Sequence, residues 1–123
     1  MTPFGLKMRA LRAKRRKTLQ EQAAMLNVSS AYLSALESGK KGQPNLLMID
    51  QICVWLGLIW DDAEELKKLA MLSHPKPTIQ TQKLGAEATK LANQLAQNID
   101  RLNEDDCLRL SETLELMLEK SAR

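Results

Sequence analysis

Arg12, Lys14, Arg15, Arg16 and Lys17 are the densest cluster of chemically capable side chains in this sequence, and their chemistry is electrostatic. Residues 1 to 45 hold nine Lys/Arg against two acids, Glu21 and Glu37, a net of +7. The remaining residues hold nine bases and thirteen acids, a net of −4. Charge segregated in this way suits a polyanion against the N-terminal part, because each neutralised phosphate releases condensed counterions. The plainer alternative is a run that only solubilises a helix end. Acid–base and nucleophilic chemistry have less to work with. His74 is the sole histidine and lies against Pro75. Asp61, Asp62, Glu64 and Glu65 crowd one helix start, too close together to cage a cation, and there they complement the helix dipole. Cys53 and Cys107 lack metal-type spacing and read as reduced core thiols of a cytoplasmic protein. There is no Gly-rich phosphate loop, HExxH pair or histidine-served triad. Neither an enzyme nor a metal or cofactor site is expected.

The basic cluster leads into the stretch with the strongest local signals, residues 18 to 39. Thr18 and Glu21 have the spacing of a capping box, which opens a helix. Leu19, Ala23 and Leu26 then recur at i, i+4 and i+7, the apolar stripe of an amphipathic helix. Asn27 tolerates the left-handed conformation that ends such a helix, and Val28 fills the angle. Ser29 or Ser30 caps a second short helix that Gly39 stops. Leu33 and Leu36 face inward on it, while Ser30, Ala31, Tyr32, Ser34 and Ala35 face outward. That outward face has the size to enter a DNA major groove.

Around this pair the pattern is helical throughout, so the fold class expected is all-α. A first helix spans Phe4 to Arg15, with Pro3 suited to its first turn and Phe4, Met8 and Leu11 inward. A fourth runs from about Asn45 to Leu56, with Leu47 or Met48, Ile49, Ile52, Cys53 and Leu56 inward and Gly57 at its end. A fifth starts at Asp61 and Asp62 and continues through Leu66, Leu69 and Leu72 to His74. Residues 1 to 74 therefore read as a five-helix domain, residues 75 to 84 as a linker, and residues 85 to 123 as a helical extension. In that extension Leu84, Ala88, Leu91, Leu95, Ile99 and Leu102 follow one stripe. Asn103 and Asp106 cap a last helix with Leu110, Leu114, Met117 and Leu118. Leu108 and Leu116 lie off its stripe, so a second apolar side needs covering by the first domain or by another subunit. No apolar run approaches the length of a membrane span.

Three segments, LRAKRRKTLQEQAAMLNVS, AYLSALESGK and KGQPNLL leading into IDQICVWLGL, together resemble the phage repressor and Cro superfamily, also called the XRE family. The resemblance covers roughly residues 5 to 58. It implies a repressor-like helix-turn-helix that binds double-stranded DNA, with its second helix in the major groove. It places Ser30, Ala31, Tyr32 and Ala35 toward base edges and Ser29 and Ser34 near phosphates. The family's usual Gln at the start of helix two is Leu19 here, so Gln20 or Gln22 is the substitute for that phosphate contact. Lys40, Lys41, Gln43 and Asn45 occupy the loop and helix-four start that the family lays along the backbone. The base-facing set contains no Arg, Lys, Asn or Gln for bidentate reading. Part of the discrimination is then expected from DNA shape. Tyr32 has the competing role of packing over helix two. Arg12 and Glu37 match an Arg–Glu pair that the family uses structurally.

A single helix-turn-helix reads only a few base pairs, and the extension carries more apolar surface than one helical pair can hide, so a homodimer on a palindromic or repeated operator is expected. Leu91, Leu95, Ile99, Leu110, Leu114 and Met117 of the extension are the expected dimer contacts. Two rivals stand beside this reading: an antitoxin whose extension neutralises a toxin, and a protein-interaction adaptor that binds no DNA.

Overall fold

The computed structural model describes residues 1–122, and among them it contains helices and no strand. Seven α-helices follow in order: α1 Pro3–Arg15, α2 Leu19–Leu26, α3 Ser30–Glu37, α4 Leu46–Leu56, α5 Trp60–Met71, α6 Ala86–Asn98 and α7 Glu104–Ser121. A 3-10 turn, Ile99–Arg101, follows α6.

Local side-chain chemistry explains most of the boundaries. The Thr2 hydroxyl accepts from the Gly5 N–H ahead of α1, and Pro3 takes the first helical position, where no amide donor is needed. Thr18 and Glu21 close both bonds of their capping box. Arg16, Asn27 and Gly57 adopt left-handed conformations, at φ 54, 57 and 67, and end α1, α2 and α4. Ser29 caps α3, Asn45 caps α4, and the Asn103–Asp106 box opens α7.

Two expectations about α5 need correction. The helix starts at Trp60, whose φ is 52, and it stops at Met71 short of His74. The stop comes from tertiary bonding. The Ser73 hydroxyl donates to the Leu69 carbonyl (2.6 Å) and accepts from the Phe4 N–H (2.9 Å), which tethers the end of α5 to the start of α1. Leu72 is consequently 63% exposed instead of inward. On α4 the inward member of the Leu47/Met48 pair is Met48, which packs against the core while Leu47 is exposed. The long stripe from Leu84 to Leu102 is also interrupted, because α6 ends at Asn98 and the chain tightens into the 3-10 turn.

The chain divides into two units, Met1–Pro77 and Thr78–Arg123. Phe4, Met8, Leu33, Leu36, Ile49, Ile52, Leu56 and Leu66 are the large apolar side chains fully enclosed in the first. Each such burial contributes about 1.5–3 kcal/mol. In this unit α1 packs on α3 and α5, α2 on α3 and α4, and α4 on α5. The α1–α3 crossing is close at Gly5, where an added Cβ would overlap the Glu37 carbonyl. Gly5→Ala is therefore expected to lower the unfolding free energy by about 1–3 kcal/mol through overpacking. Urea denaturation checks this, and a variant as stable as the parent would rule out the tight crossing. The second unit is built differently, because neither α6 nor α7 contains a buried residue.

Candidate nucleic-acid interface

α3 presents a small, polar, solvent-facing surface. Ala31, Tyr32 and Ser34 are exposed, Tyr32 by 39%, while Ser30 and Ala35 are half-buried. Ser29 lies exposed at the N-terminus, and its Oγ accepts from the Tyr32 N–H at 3.0 Å. A hydroxyl that accepts in this way keeps its own proton free to donate. Asn45 is similar: its Oδ1 accepts from the Met48 N–H at 2.8 Å, which leaves the two amide N–H donors for an outside acceptor. Lys40, Lys41, Gln43 and Gln20 are exposed. Gly39 and Gly42 shape the loop after α3 with φ values of 86 and 84.

Gln22, the alternative to Gln20 for a phosphate contact, has no exposed surface and cannot reach one. It joins Arg12 and Glu37 beneath α3. Arg12 Nη1 donates to Glu37 Oε2 at 2.5 Å and Nη2 to Glu37 Oε1 at 2.9 Å, a bidentate pair. The same Nη1 donates to Gln22 Oε1 at 2.6 Å, and Gln22 Nε2 donates to Met8 Sδ at 3.2 Å. The Glu37 backbone is held too, since its carbonyl accepts from both the Thr2 N–H and the Thr2 hydroxyl. The signal for Gln22 lay in the spacing of α2. Leu19, Gln22, Ala23 and Leu26 stand at i, i+3, i+4 and i+7, so the glutamine shares the buried stripe.

Several cations of the N-terminal cluster have internal work. Arg12 is buried, Arg15 donates to the Leu56 carbonyl at the end of α4, and Lys17 lies 4.7 Å from the centre of the Trp55 ring. Lys7 pairs with Glu65 at 3.4 Å. Arg9, Lys14, Arg16, Lys40 and Lys41 are exposed and make no ion pair among the described residues. Arg15 is exposed as well, and its carbonyl partner does not neutralise it, so six cations carry charge available to an external anion.

Burial raises the Cys53 thiol above its ordinary value, against a smaller opposing effect of Lys67, so Cys53 stays protonated and behaves as a small core hydrophobe. No group of three or more His, Cys, Asp or Glu among the described residues could hold a metal ion. No helix among them is long and apolar enough to cross a membrane.

In the second unit, Leu91 and Leu95 of α6 face Leu110, Leu114 and Met117 of α7 across an open apolar groove. Ile99 lies in the 3-10 turn and is exposed.

Comparison with known proteins adds two findings. A family profile described as a helix-turn-helix domain matches residues 3–66. The chain is also similar to the uncharacterized HTH-type transcriptional regulator RghRB of Bacillus subtilis (strain 168), with 34% identity over 62 residues. That match covers 50% of this chain and 45% of the relative, so under half of the relative's length is represented. No solved structure matches the chain.

Proposed function

Because the chain belongs to the helix-turn-helix domain family, we propose that it is a sequence-specific regulator of transcription of the phage repressor and Cro type, which binds double-stranded DNA with α3 in the major groove. The observation that carries this reading is the exposed Ser/Ala/Tyr face of α3, braced from below by a buried ionic network. In this reading Ser30, Ala31, Tyr32 and Ala35 meet base edges. Ser29, Ser34, Gln20, Lys40, Lys41, Gln43 and Asn45 hold the phosphates. Small apolar side chains contact thymine methyls, the serine hydroxyls bond to several bases, and the rest of the selectivity comes from DNA shape.

A single helix-turn-helix reads few base pairs, and two copies spaced by about 34–36 Å read a two-fold operator. The α6–α7 unit is the proposed dimerisation element. A segment of this size that has no buried side chain among its described residues cannot stabilise itself. A second copy of the same pair would close the groove of Leu91, Leu95, Leu110, Leu114 and Met117 into a four-helix core.

Selection of bound sequences from a random DNA pool, followed by gel-shift titration at varied salt, tests the reading. Six externally available cations per copy predict a log affinity–log salt slope of up to about −5.4 per copy, at about 0.9 per phosphate. Lys40→Ala with Lys41→Ala is expected to reduce that slope by about 1.8 and to weaken every sequence alike. An unchanged slope would remove the α3–α4 loop from the interface. A pool that yields no enriched sequence would overturn the operator reading.

A further inference from the structure

We infer that Gln22 is a positioning residue for DNA reading: by holding Arg12, and through it Glu37, it fixes the angle at which α3 presents its outer face. The inference rests on the operator-binding reading above and goes beyond it by assigning a role to a side chain that cannot touch DNA.

Three helices meet at one guanidinium, with Arg12 from α1, Gln22 from α2 and Glu37 from α3. The guanidinium is rigid and planar, and its N–H directions are fixed, so its partners are constrained in direction as well as in distance. Arg offers only donors, hence the oxygen of the Gln22 amide must face it and the NH2 must face Met8. This leaves the amide one orientation. Nη1 serves an acceptor on each helix of the helix-turn-helix pair, at 2.6 Å on α2 and 2.5 Å on α3. The neighbouring contacts of α2 and α3, through Ala23, Leu26, Leu33 and Leu36, are apolar. Such packing sets a crossing angle only to within about 15–20°. A functional constellation needs placement to about 0.5 Å, and the shared guanidinium supplies the missing direction.

The test compares the full parent chain with Gln22→Met and Gln22→Glu. Methionine has similar length and no acceptor for Arg12. Each protein is titrated against the operator selected by the parent and against a scrambled duplex, and unfolding midpoints are recorded. Gln22→Met is expected to lose about tenfold in the operator-to-scrambled affinity ratio, the low end of one lost base contact. Its affinity for scrambled DNA, its salt slope and its folded fraction at the assay temperature should stay near the parent's.

Gln22→Glu supplies a readout that a merely structural role would not move. A carboxyl at this enclosed site is pushed toward its protonated form by desolvation and by Glu37, against the opposing pull of the Arg12 guanidinium. When protonated, its carbonyl replaces the amide oxygen toward Arg12. Discrimination should therefore match the parent's at low pH and fall as pH rises and the carboxyl ionises. If Gln22→Met fails to fold, this titration decides. A Gln22→Met protein with the parent's full ratio, or a Gln22→Glu profile parallel to the parent's, overturns the inference alone. A parent that prefers no sequence overturns the operator reading and this inference together.

Discussion

Glu37→Ala is expected to unfold far below the parent and to weaken binding to all DNA sequences alike. Removing the carboxylate strands the Arg12 guanidinium in the core, where both side chains are almost fully enclosed. Breaking such a pair from one side costs about 3–5 kcal/mol. Small domains are stable by about 5–15 kcal/mol in total, so the loss is a large fraction. In melting temperature it amounts to about 12 °C or more, at about 4–8 °C per kcal/mol for a domain of this size. Replacing both partners, with Arg12→Met and Glu37→Leu, should recover much of that stability, because no charge is left stranded. Thermal melts of the two single variants and the double variant measure the coupling. A Glu37→Ala protein that melts with the parent would show that the pair carries no stability.

The second large effect concerns assembly. A chain ending at Pro77 keeps the complete α1–α5 core and should fold, yet sediment as a monomer. Its operator affinity should fall by about 10²–10⁴, the gain that linking two binding modules commonly provides. Leu95→Arg with Leu114→Arg in the full chain places two cations in the groove and should have the same consequence. Sedimentation velocity and gel shift on one operator give both readouts. A shortened chain that still forms dimers would move the interface into Met1–Pro77 and leave the groove to a different protein, such as a toxin.

Features that depend on neighbours in sequence were legible before any coordinates. The Thr18–Glu21 box, the left-handed stops at Asn27 and Gly57 and the Asn103–Asp106 cap each need only residues three or four apart. The inward sets of α1 and α3 were readable for the same reason, since periodicity alone defines a face. What escaped depends on contacts across the fold. Leu72 continues the spacing of Leu66 and Leu69, yet the Ser73 hydroxyl bonded to Phe4 ends the helix before Leu72 can turn inward. Trp60 takes a positive φ that a bulky side chain disfavours, and the start of α5 therefore falls one residue before the acids that announce it. Gln22 was offered beside Gln20 as a phosphate contact, on the family resemblance, although its spacing placed it with the buried Leu26 and Ala23. The candidate site divides along the same line. Its outer face is a matter of helical phase, and its buried brace is tertiary.

The bonds that fasten the beginning of the chain have a consequence during synthesis. Thr2 is tied to Glu37 and Phe4 to Ser73, separations of 35 and 69 residues. Thr2 thus waits only for Glu37, whereas Phe4 finds its partner only when almost the whole of Met1–Pro77 has been translated. Until then α1 has no acceptor for its Phe4 amide. A nascent chain paused before Ser73 would hold α2, α3 and α4 against an unfastened α1, with Phe4 and Met8 accessible to chaperones. The fastening of α1 to the end of α5 would then be completed as a late event of translation, when Ser73 emerges.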